Sequence, residues 1–156
     1  WTMINMGLVK IKGVDVVLQG LWKFGNDWVF DSRLSYTYQK AQDFTDKSDK
    51  DTYGGQISYI PWHSGSAILN AGYKSWELNY SFIYTGERYD VSANTPENYR
   101  LPWYTSDFSL AKKFSWRKYD FKLTLEVNNI FNQQYEVVRS YPMPGTNFKF
   151  ILNLTI

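Results

Sequence analysis

Cysteine is absent from the 156 residues, and histidine occurs once, at His63. The lack of cysteine excludes a disulfide scaffold and a thiolate metal site. No apolar run reaches the roughly 18 residues that a transmembrane helix requires, so none is predicted. The net charge is only +2 and the basic residues are scattered, so we expect no nucleic-acid partner. What remains is a hydrophilic chain in which 19% of the residues are aromatic.

Apolar and polar residues alternate along most of this chain, as they do in its last ten residues, NFKFILNLTI. In that stretch only Ile151 breaks the rule. A period of two predicts β-strands that have one apolar and one polar face. Seven runs follow the pattern, approximately at residues 14–24, 28–39, 66–74, 77–85, 107–114, 120–128 and 147–156.

The connections between these strands are alternately short and long. Those near residues 25–27, 74–76 and 115–118 are tight, whereas those at roughly 40–56, 87–103 and 132–146 are long and polar, or rich in Pro, Asn and Gly. This alternation predicts an all-β, antiparallel, up-and-down sheet with its tight turns at one end. We find no break in composition, so residues 1–156 are taken as one unit.

The apolar face could turn toward a protein core, as in a water-soluble β-barrel that binds small apolar ligands, or toward lipid. Two features favour lipid. The apolar faces are too large and too aromatic to fill the inside of a small barrel. Aromatic residues also gather near the tight turns, as the girdle of an outer-membrane barrel does. They are Phe24, Trp28, Tyr73, Trp76, Phe114, Trp116 and Tyr119.

The charges on the opposite face also favour lipid, because they suit a watery lumen and are costly in a dry core. They include Asp31, Arg33, Glu77, Asp107, Lys122 and Glu126. Single-chain barrels of this type usually have an even number of strands. Seven strands and a first residue that is Trp1 therefore predict a fragment, the last part of a larger barrel.

Residues 123–156 resemble the C-terminal signature of TonB-dependent outer-membrane receptors. The matching features are an Asn-Asn-Ile-Phe turn at residues 128–131, Tyr135, the YPMPG run at residues 141–145 and a final alternating strand. Upstream, NMGLVKIKGVDVVLQG, IPWHSGSAILNAGY and YTGERY resemble further segments of the family in the family's order. Two residues depart from the pattern: Thr146 replaces an Arg, and Ile156 replaces a terminal aromatic residue.

The resemblance implies the last third of a 22-stranded transmembrane barrel in the outer membrane of a Gram-negative bacterium, in contact with lipid. It implies active uptake of a metal chelate such as a siderophore, of cobalamin or of haem. Energy would come from the TonB complex through an N-terminal plug that this sequence does not contain. It also implies that the barrel assembly machinery recognises an assembly signal in the last strand, at Phe148, Phe150, Leu152, Leu154 and Ile156. No cofactor and no enzymatic activity are implied.

Polar and aromatic residues in or beside the long loops are candidate contacts for a nutrient ligand, since loop positions favour function. They are Arg88, Asn98, Arg100, Arg139 and Tyr141. A hydrolase would need a nucleophile and an acid spaced to work with His63, and we find neither. The carboxylates Asp43, Asp46, Asp49 and Asp51 do not have the spacing of a calcium loop, so we predict a solvated loop and no metal site.

Overall fold

The computed structural model describes residues 7–155, in which every regular element is a β-strand apart from one 3-10 turn of three residues. In chain order the elements are β1 (Val9–Phe24), β2 (Trp28–Asp43), β3 (His63–Tyr73), β4 (Trp76–Thr85), β5 (Arg88–Tyr89), a 3-10 turn (Pro96–Asn98), β6 (Tyr99–Arg100), β7 (Trp103–Trp116), β8 (Tyr119–Asn128), β9 (Glu136–Val138), β10 (Tyr141–Pro142) and β11 (Asn147–Thr155). No helix in this part of the chain is long and apolar enough to span a membrane. The predicted all-β class is confirmed.

The seven long strands form one antiparallel sheet in the order β1-β2-β3-β4-β7-β8-β11. They correspond to the seven predicted strands, so the up-and-down arrangement is also confirmed. The alternation alone placed several strand starts too late, because β1 already begins at Val9 and β7 at Trp103. Four further strands of two or three residues were not predicted. They pair within the long loops, β5 with β6 and β9 with β10.

Three tight turns join the long strands at one end of the sheet. Each turn has one residue in the left-handed region, namely Gly25 (φ 60°), Lys74 (φ 52°) and Arg117 (φ 56°). Side chains other than glycine rarely adopt this conformation, so Lys74 and Arg117 hold it because the ladders on both sides fix the turn. The turns are only two or three residues long, and they set the register of the hairpins.

The register brings side chains of one kind together across most of the sheet. One continuous cross-strand row is entirely apolar and consists of Trp22, Phe30, Ala71, Leu78, Leu110, Leu125 and Phe150. The next row points to the other face and consists of Leu21, Asp31, Asn70, Asn79, Ser109, Glu126 and Lys149. Successive side chains of a strand point to opposite faces, so the alternation of the sequence becomes an apolar face and a polar face. Ile151, the exception in β11, lies on the polar face opposite Thr124.

The apolar face is not covered by other parts of the chain. Within residues 7–155, the buried hydrophobic side chains are Ala41, Ile57 and Ala111, of which only Ile57 is large, and Ile57 lies in the connection after β2 rather than in the sheet. By contrast, Phe150 is 66% exposed, and most large apolar residues of the strands are exposed or half-buried. A water-soluble barrel would bury these side chains in its centre. The arrangement therefore disfavours the soluble alternative.

Two aromatic rows border the apolar face. The row nearest the tight turns contains Phe24, Trp28, Tyr73 and Trp76, and the row nearest the long loops contains Tyr36, Tyr84 and Tyr104. The rings of Trp28 and Tyr73 stack with centroids 4.2 Å apart. Along β3 the rows are eight residues apart, about 27 Å of strand or about 20 Å after a tilt of about 40°. This is close to the apolar band of about 25 Å in outer-membrane barrels.

Replacement of Leu69 by Arg tests whether the apolar face meets lipid. Leu69 lies midway between the aromatic rows, and an Arg on the lipid face at mid-depth costs about 2–4 kcal/mol. Ile83 is the matched control, since it lies on the polar face between Ser66 and Thr105. The two side chains are similarly exposed, at 42% and 45%.

We expect Leu69→Arg to lower the free energy of unfolding in lipid vesicles by that amount, and Ile83→Arg to change it by less than half as much. The measurement is denaturant unfolding followed by tryptophan fluorescence. Equal losses in the two variants would contradict the assignment of the faces.

Candidate functional site at the long-loop end

The three long connections lie at the same end of the sheet, opposite the tight turns. They comprise residues 44–62, 86–102 and 129–146. Hydrogen bonds between side chains and backbone tie them together, so the loop end is a folded unit rather than three separate loops. The candidate ligand residues predicted from the sequence all belong to the second and third connections.

The second connection folds back on itself as a small hairpin. Strands β5 and β6 pair Arg88 with Arg100 and Tyr89 with Tyr99. The 3-10 turn precedes β6, and Asn98 at its end donates from Nδ2 to the carbonyl oxygen of Ala93 (3.0 Å). Asn98 therefore holds the hairpin closed.

Asp90 forms the electrostatic centre of the loop end. Its side chain is only 1% exposed, and its Oδ2 accepts a hydrogen bond from Arg100 Nε at 2.7 Å. Arg139 reaches the same oxygen from the third connection, with Nη1 at 3.4 Å. Two arginines that are about 40 residues apart in sequence thus share one buried carboxylate. A buried carboxylate requires such partners, because burial of an unpaired charge is costly.

Arg88 links the same two connections through carbonyl groups. It is buried, and its Nη2 donates to the carbonyl oxygens of Glu136 (2.7 Å) and Val137 (3.3 Å). Burial lowers the pKa of Arg88 from its ordinary value, and the neighbouring charge of Arg100 acts in the same direction. The carbonyl dipoles stabilise the charged form that burial disfavours.

A cleft of about 510 Å³ opens between the second and third connections. Its lining includes Arg88, Arg100, Trp103, Gln133, Tyr135 and Glu136. The Trp103 and Tyr135 rings stack with centroids 4.5 Å apart. Burial, and secondly the charge of Asp107, raise the pKa of the Tyr135 phenol above its ordinary value, at which the hydroxyl is already a hydrogen-bond donor at neutral pH. The cleft thus combines flat rings with polar and charged groups.

The five predicted ligand residues do not all meet in this cleft. Arg88 and Arg100 line it, and Arg139 reaches the Asp90 carboxylate that Arg100 also binds. Asn98 makes hydrogen bonds within its own loop, and Tyr141 is exposed on the β9–β10 hairpin. Their role as ligand contacts stays a prediction.

The sequence reasoning missed Asp90 and a second link between connections. The backbone N–H of Gln56 donates to Asn94 Oδ1 (2.5 Å), and Asn94 Nδ2 donates back to the backbone carbonyl of Gln56 (3.0 Å). Gln56 is buried and also donates from Nε2 to the carbonyl of Glu87 (3.2 Å). This pair ties the first connection to the second. Of these residues, only Asp90 could have been noticed in the sequence, because it lies two residues after Arg88, a predicted ligand contact.

The turn after β8, which was predicted at residues 128–131, depends on Asn129. Asn129 has a positive φ of 51°, and its Oδ1 accepts from the Gln133 amide (2.9 Å). Thr146, which replaces the Arg of the receptor pattern, donates from Oγ1 to the Asn129 carbonyl (2.7 Å). The Thr146 hydroxyl therefore stabilises this turn directly.

Neither of the other chemical candidates shows a reactive arrangement. His63 Nδ1 lies 2.7 Å from the Tyr36 hydroxyl, and its ring also packs near Tyr38. In the first connection, Asp46 Oδ1 accepts hydrogen bonds from the Ser48 amide and hydroxyl, which lower the pKa of its carboxyl. Among residues 7–155 no group of three or more His, Asp or Glu side chains is placed to hold a metal ion.

The polar face of the sheet carries a connected set of polar and charged side chains. Asn70 Nδ2 donates to Asp31 Oδ1 (2.8 Å), and Asn79 donates to Asn70. Nearer the tight turns, Glu77 forms ion pairs with Lys113 and with Lys122, the latter at 2.7 Å. A concavity of about 560 Å³ lies over this face. Of the charges predicted for a watery lumen, Glu77 and Lys122 pair with each other, and Glu126 pairs with Lys149 at 3.6 Å.

An exposed apolar face between two aromatic rows, a polar opposite face and loops gathered at one end define the wall of a membrane β-barrel. Residues 1–130 match the family described as TonB dependent receptor-like, beta-barrel. The match covers most of the chain, and the chain belongs to this family. Membership supports TonB-dependent transport at the outer membrane in general terms, in a family of transporters rather than enzymes.

Replacement of Asp90 by Asn tests the role of the buried carboxylate. The substitution leaves Arg100 and Arg139 without an anionic partner, and loss of such a charge-assisted bond costs about 1–3 kcal/mol. We expect trypsin to cleave after Arg100 about tenfold faster or more, since 1.4 kcal/mol corresponds to a factor of ten.

The control for this experiment is Asp49→Asn, which removes the same charge from an exposed carboxylate in the first connection. It should leave the rate of cleavage at Arg100 unchanged. If Asp90→Asn also left it unchanged, Asp90 would not hold the loops together.

Proposed function

We propose that this chain is the C-terminal barrel segment of a TonB-dependent receptor that takes up a scarce nutrient, namely a metal chelate, cobalamin or haem. The receptor works in the outer membrane of a Gram-negative bacterium, with its long loops outside the cell and its tight turns in the periplasm. The observation that carries the proposal is the separation of an uncovered apolar face from a polar face in a sheet that ends in a folded loop cluster. This segment performs no covalent chemistry.

The seven strands supply part of a 22-stranded wall. Within residues 7–155, β1 and β11 each pair on one side only, at opposite edges of the sheet. Hydrocarbon offers no hydrogen bonds, so unpaired strand edges are unstable in a bilayer. Both edges therefore require neighbouring strands, which supports a larger barrel with other strands beside β1 and β11.

The polar face lines the lumen and contacts a plug domain through which the TonB complex acts. Paired charges such as Glu77 with Lys122 suit a surface that alternates between water and a polar protein partner, because neither state leaves the charges unpaired. The side-chain hydrogen bonds that link Asp31, Asn70 and Asn79 likewise place amide groups where such a partner can bind them.

The last strand serves as the signal for the barrel assembly machinery. Phe148, Phe150, Leu152 and Leu154 lie on the apolar face of β11 and are exposed. Ile156, the fifth residue of the predicted signal, lies outside the described residues. An exposed apolar stripe at a strand edge offers both side chains and backbone groups to a folding partner.

Nutrient capture is assigned to the loop end, with Arg88, Asn98, Arg100, Arg139 and Tyr141 as contacts. The cleft beside Arg100 offers a cation next to stacked rings, which suits a ligand that has both anionic groups and flat surfaces. Arg139 is half-exposed and Tyr141 is exposed, so both are accessible to a ligand that arrives from solution.

Uptake by cells tests the proposal. A strain without the gene is supplied with ferric chelates, cobalamin or haem, each as the sole source, and is then complemented with the full-length gene. We expect complementation to restore growth on one class of nutrient, and deletion of tonB to abolish that growth. Growth that is restored equally without TonB would contradict the proposal.

Single loop variants test the ligand contacts. We expect Tyr141→Ala and Arg139→Gln each to raise the nutrient concentration for half-maximal uptake about tenfold, which corresponds to the loss of about 1.4 kcal/mol of binding. Lys47→Gln is the control, since it removes a cation from a different loop. If all three variants behaved like the wild type at equal amounts in the membrane, these residues would not be ligand contacts.

A further inference from the structure

Four cations surround the tight-turn end of the apolar face. They are Lys74, Lys112, Arg117 and Lys118, and we call this set the cationic rim. Lys74, Arg117 and Lys118 lie in the turns that follow β3 and β7. Lys112 lies within β7, on the apolar face directly opposite Trp76 of β4. A cation within an apolar row is costly in lipid, and its position therefore requires an explanation.

The Lys112 side chain extends out of the apolar row, and its ammonium group lies at the turn between β3 and β4. Its Nζ donates to Ser75 Oγ at 2.6 Å and lies 4.4 Å from the centroid of the Trp76 ring. Lysines near the ends of membrane-spanning elements commonly extend toward the interface in this way. An ammonium group has three donors, so two remain after the bond to Ser75.

The other members of the rim also lie over aromatic rings. Lys74 Nζ is 5.2 Å from the centroid of Tyr73, and Lys118 Nζ is 5.3 Å from that of Tyr119. The Arg117 guanidinium lies 5.2 Å from the Trp116 ring. These distances are within the range of cation–π attraction, which positions each cation beside an aromatic ring at a strand end but leaves its N–H donors available.

The rim has an excess of positive charge. Among the described residues, the carboxylate that pairs with the rim is Asp27, which lies 3.9 Å from Lys74 Nζ, and both groups are about half exposed. Asp120 lies close by in sequence but is on the polar face, where it accepts a hydrogen bond from Ser115 Oγ. Exposed pairs of this kind are weak. Glu77, in contrast, points to the polar face, where Lys113 and Lys122 neutralise it. Among the described residues, the four cations of the rim thus have one ion-pair partner, so the rim carries a net positive charge.

We propose that the cationic rim binds the phosphate groups of anionic phospholipids in the leaflet at the tight-turn end. This inference rests on the membrane placement given under the proposed function. Charge complementarity selects the lipid: phosphatidylglycerol has an uncompensated phosphate, whereas phosphatidylethanolamine has an ammonium group of its own that the rim repels. Lys112 and Lys74 form the centre of the site, since Lys112 contacts Ser75, the residue after Lys74.

Native mass spectrometry tests this proposal on the full-length protein purified in detergent. The protein is incubated with equal amounts of phosphatidylglycerol and phosphatidylethanolamine, and the retained lipids are counted. We expect the wild type to retain phosphatidylglycerol about fivefold more often, and added salt to reduce this preference. In the double variant with Lys74→Gln and Lys112→Gln, the two lipids should be retained equally.

Two variants serve as controls. Lys113→Gln removes the same charge one position further along β7, on the polar face, and should keep the preference. Lys112→Arg keeps the charge and should also keep it. Migration of the unheated protein on electrophoresis verifies that each variant is folded.

The proposal for the cationic rim would be overturned if the folded wild type showed no preference for phosphatidylglycerol, or if the double variant kept that preference. Neither result would affect the proposed function. A preference reduced equally by Lys113→Gln would also overturn the proposal for the rim. Failure of the proposed function would be recognised by a different result, namely a protein that is monodisperse in buffer without detergent.

Discussion

The fixed register of the antiparallel ladder is the constraint on which the rest of the structure depends. Side chains alternate with a period of two, so a slip by one residue would exchange the apolar and polar faces of a strand. The ladder prevents this because Phe30, Ala71 and Leu78 lie directly opposite one another in successive strands. The turns that contain Lys74 and Arg117 support it, since each joins its two strands through only two residues.

The sequence predicted the sheet well because the relevant information is local. A period of two extends over every long strand, and it identified seven strands, their faces and the tight turns between them. It even marked Ile151 as an exception, and that side chain lies on the polar face. The short strands β5, β6, β9 and β10 were missed because two or three residues cannot display a period. The early starts of β1 and β7 were missed for a related reason, since hydrogen bonding continues beyond the alternating pattern.

The loop end could be predicted only as a region. Arg88, Arg100 and Arg139 were selected because they lie in or beside long polar loops, which says nothing about their partners. Their partner Asp90 becomes recognisable when the β5–β6 hairpin brings Arg100 beside it and the third connection brings Arg139. Such contacts between residues far apart in sequence depend on loop paths that hydrophobic patterning does not encode.

The two ends of the sheet use cations in opposite ways, and this difference follows from their surroundings. At the loop end Arg100 and Arg88 are bound by a buried carboxylate and by carbonyl groups, which fixes the loops relative to one another. At the tight-turn end Lys112 is held by a hydroxyl and an aromatic ring, and neither neutralises its charge. Rigid loops favour binding because less conformational entropy is lost when a ligand arrives. An unneutralised cation at the level of the aromatic row instead requires a counter-charge from outside the protein, and a membrane supplies one in its phosphate groups.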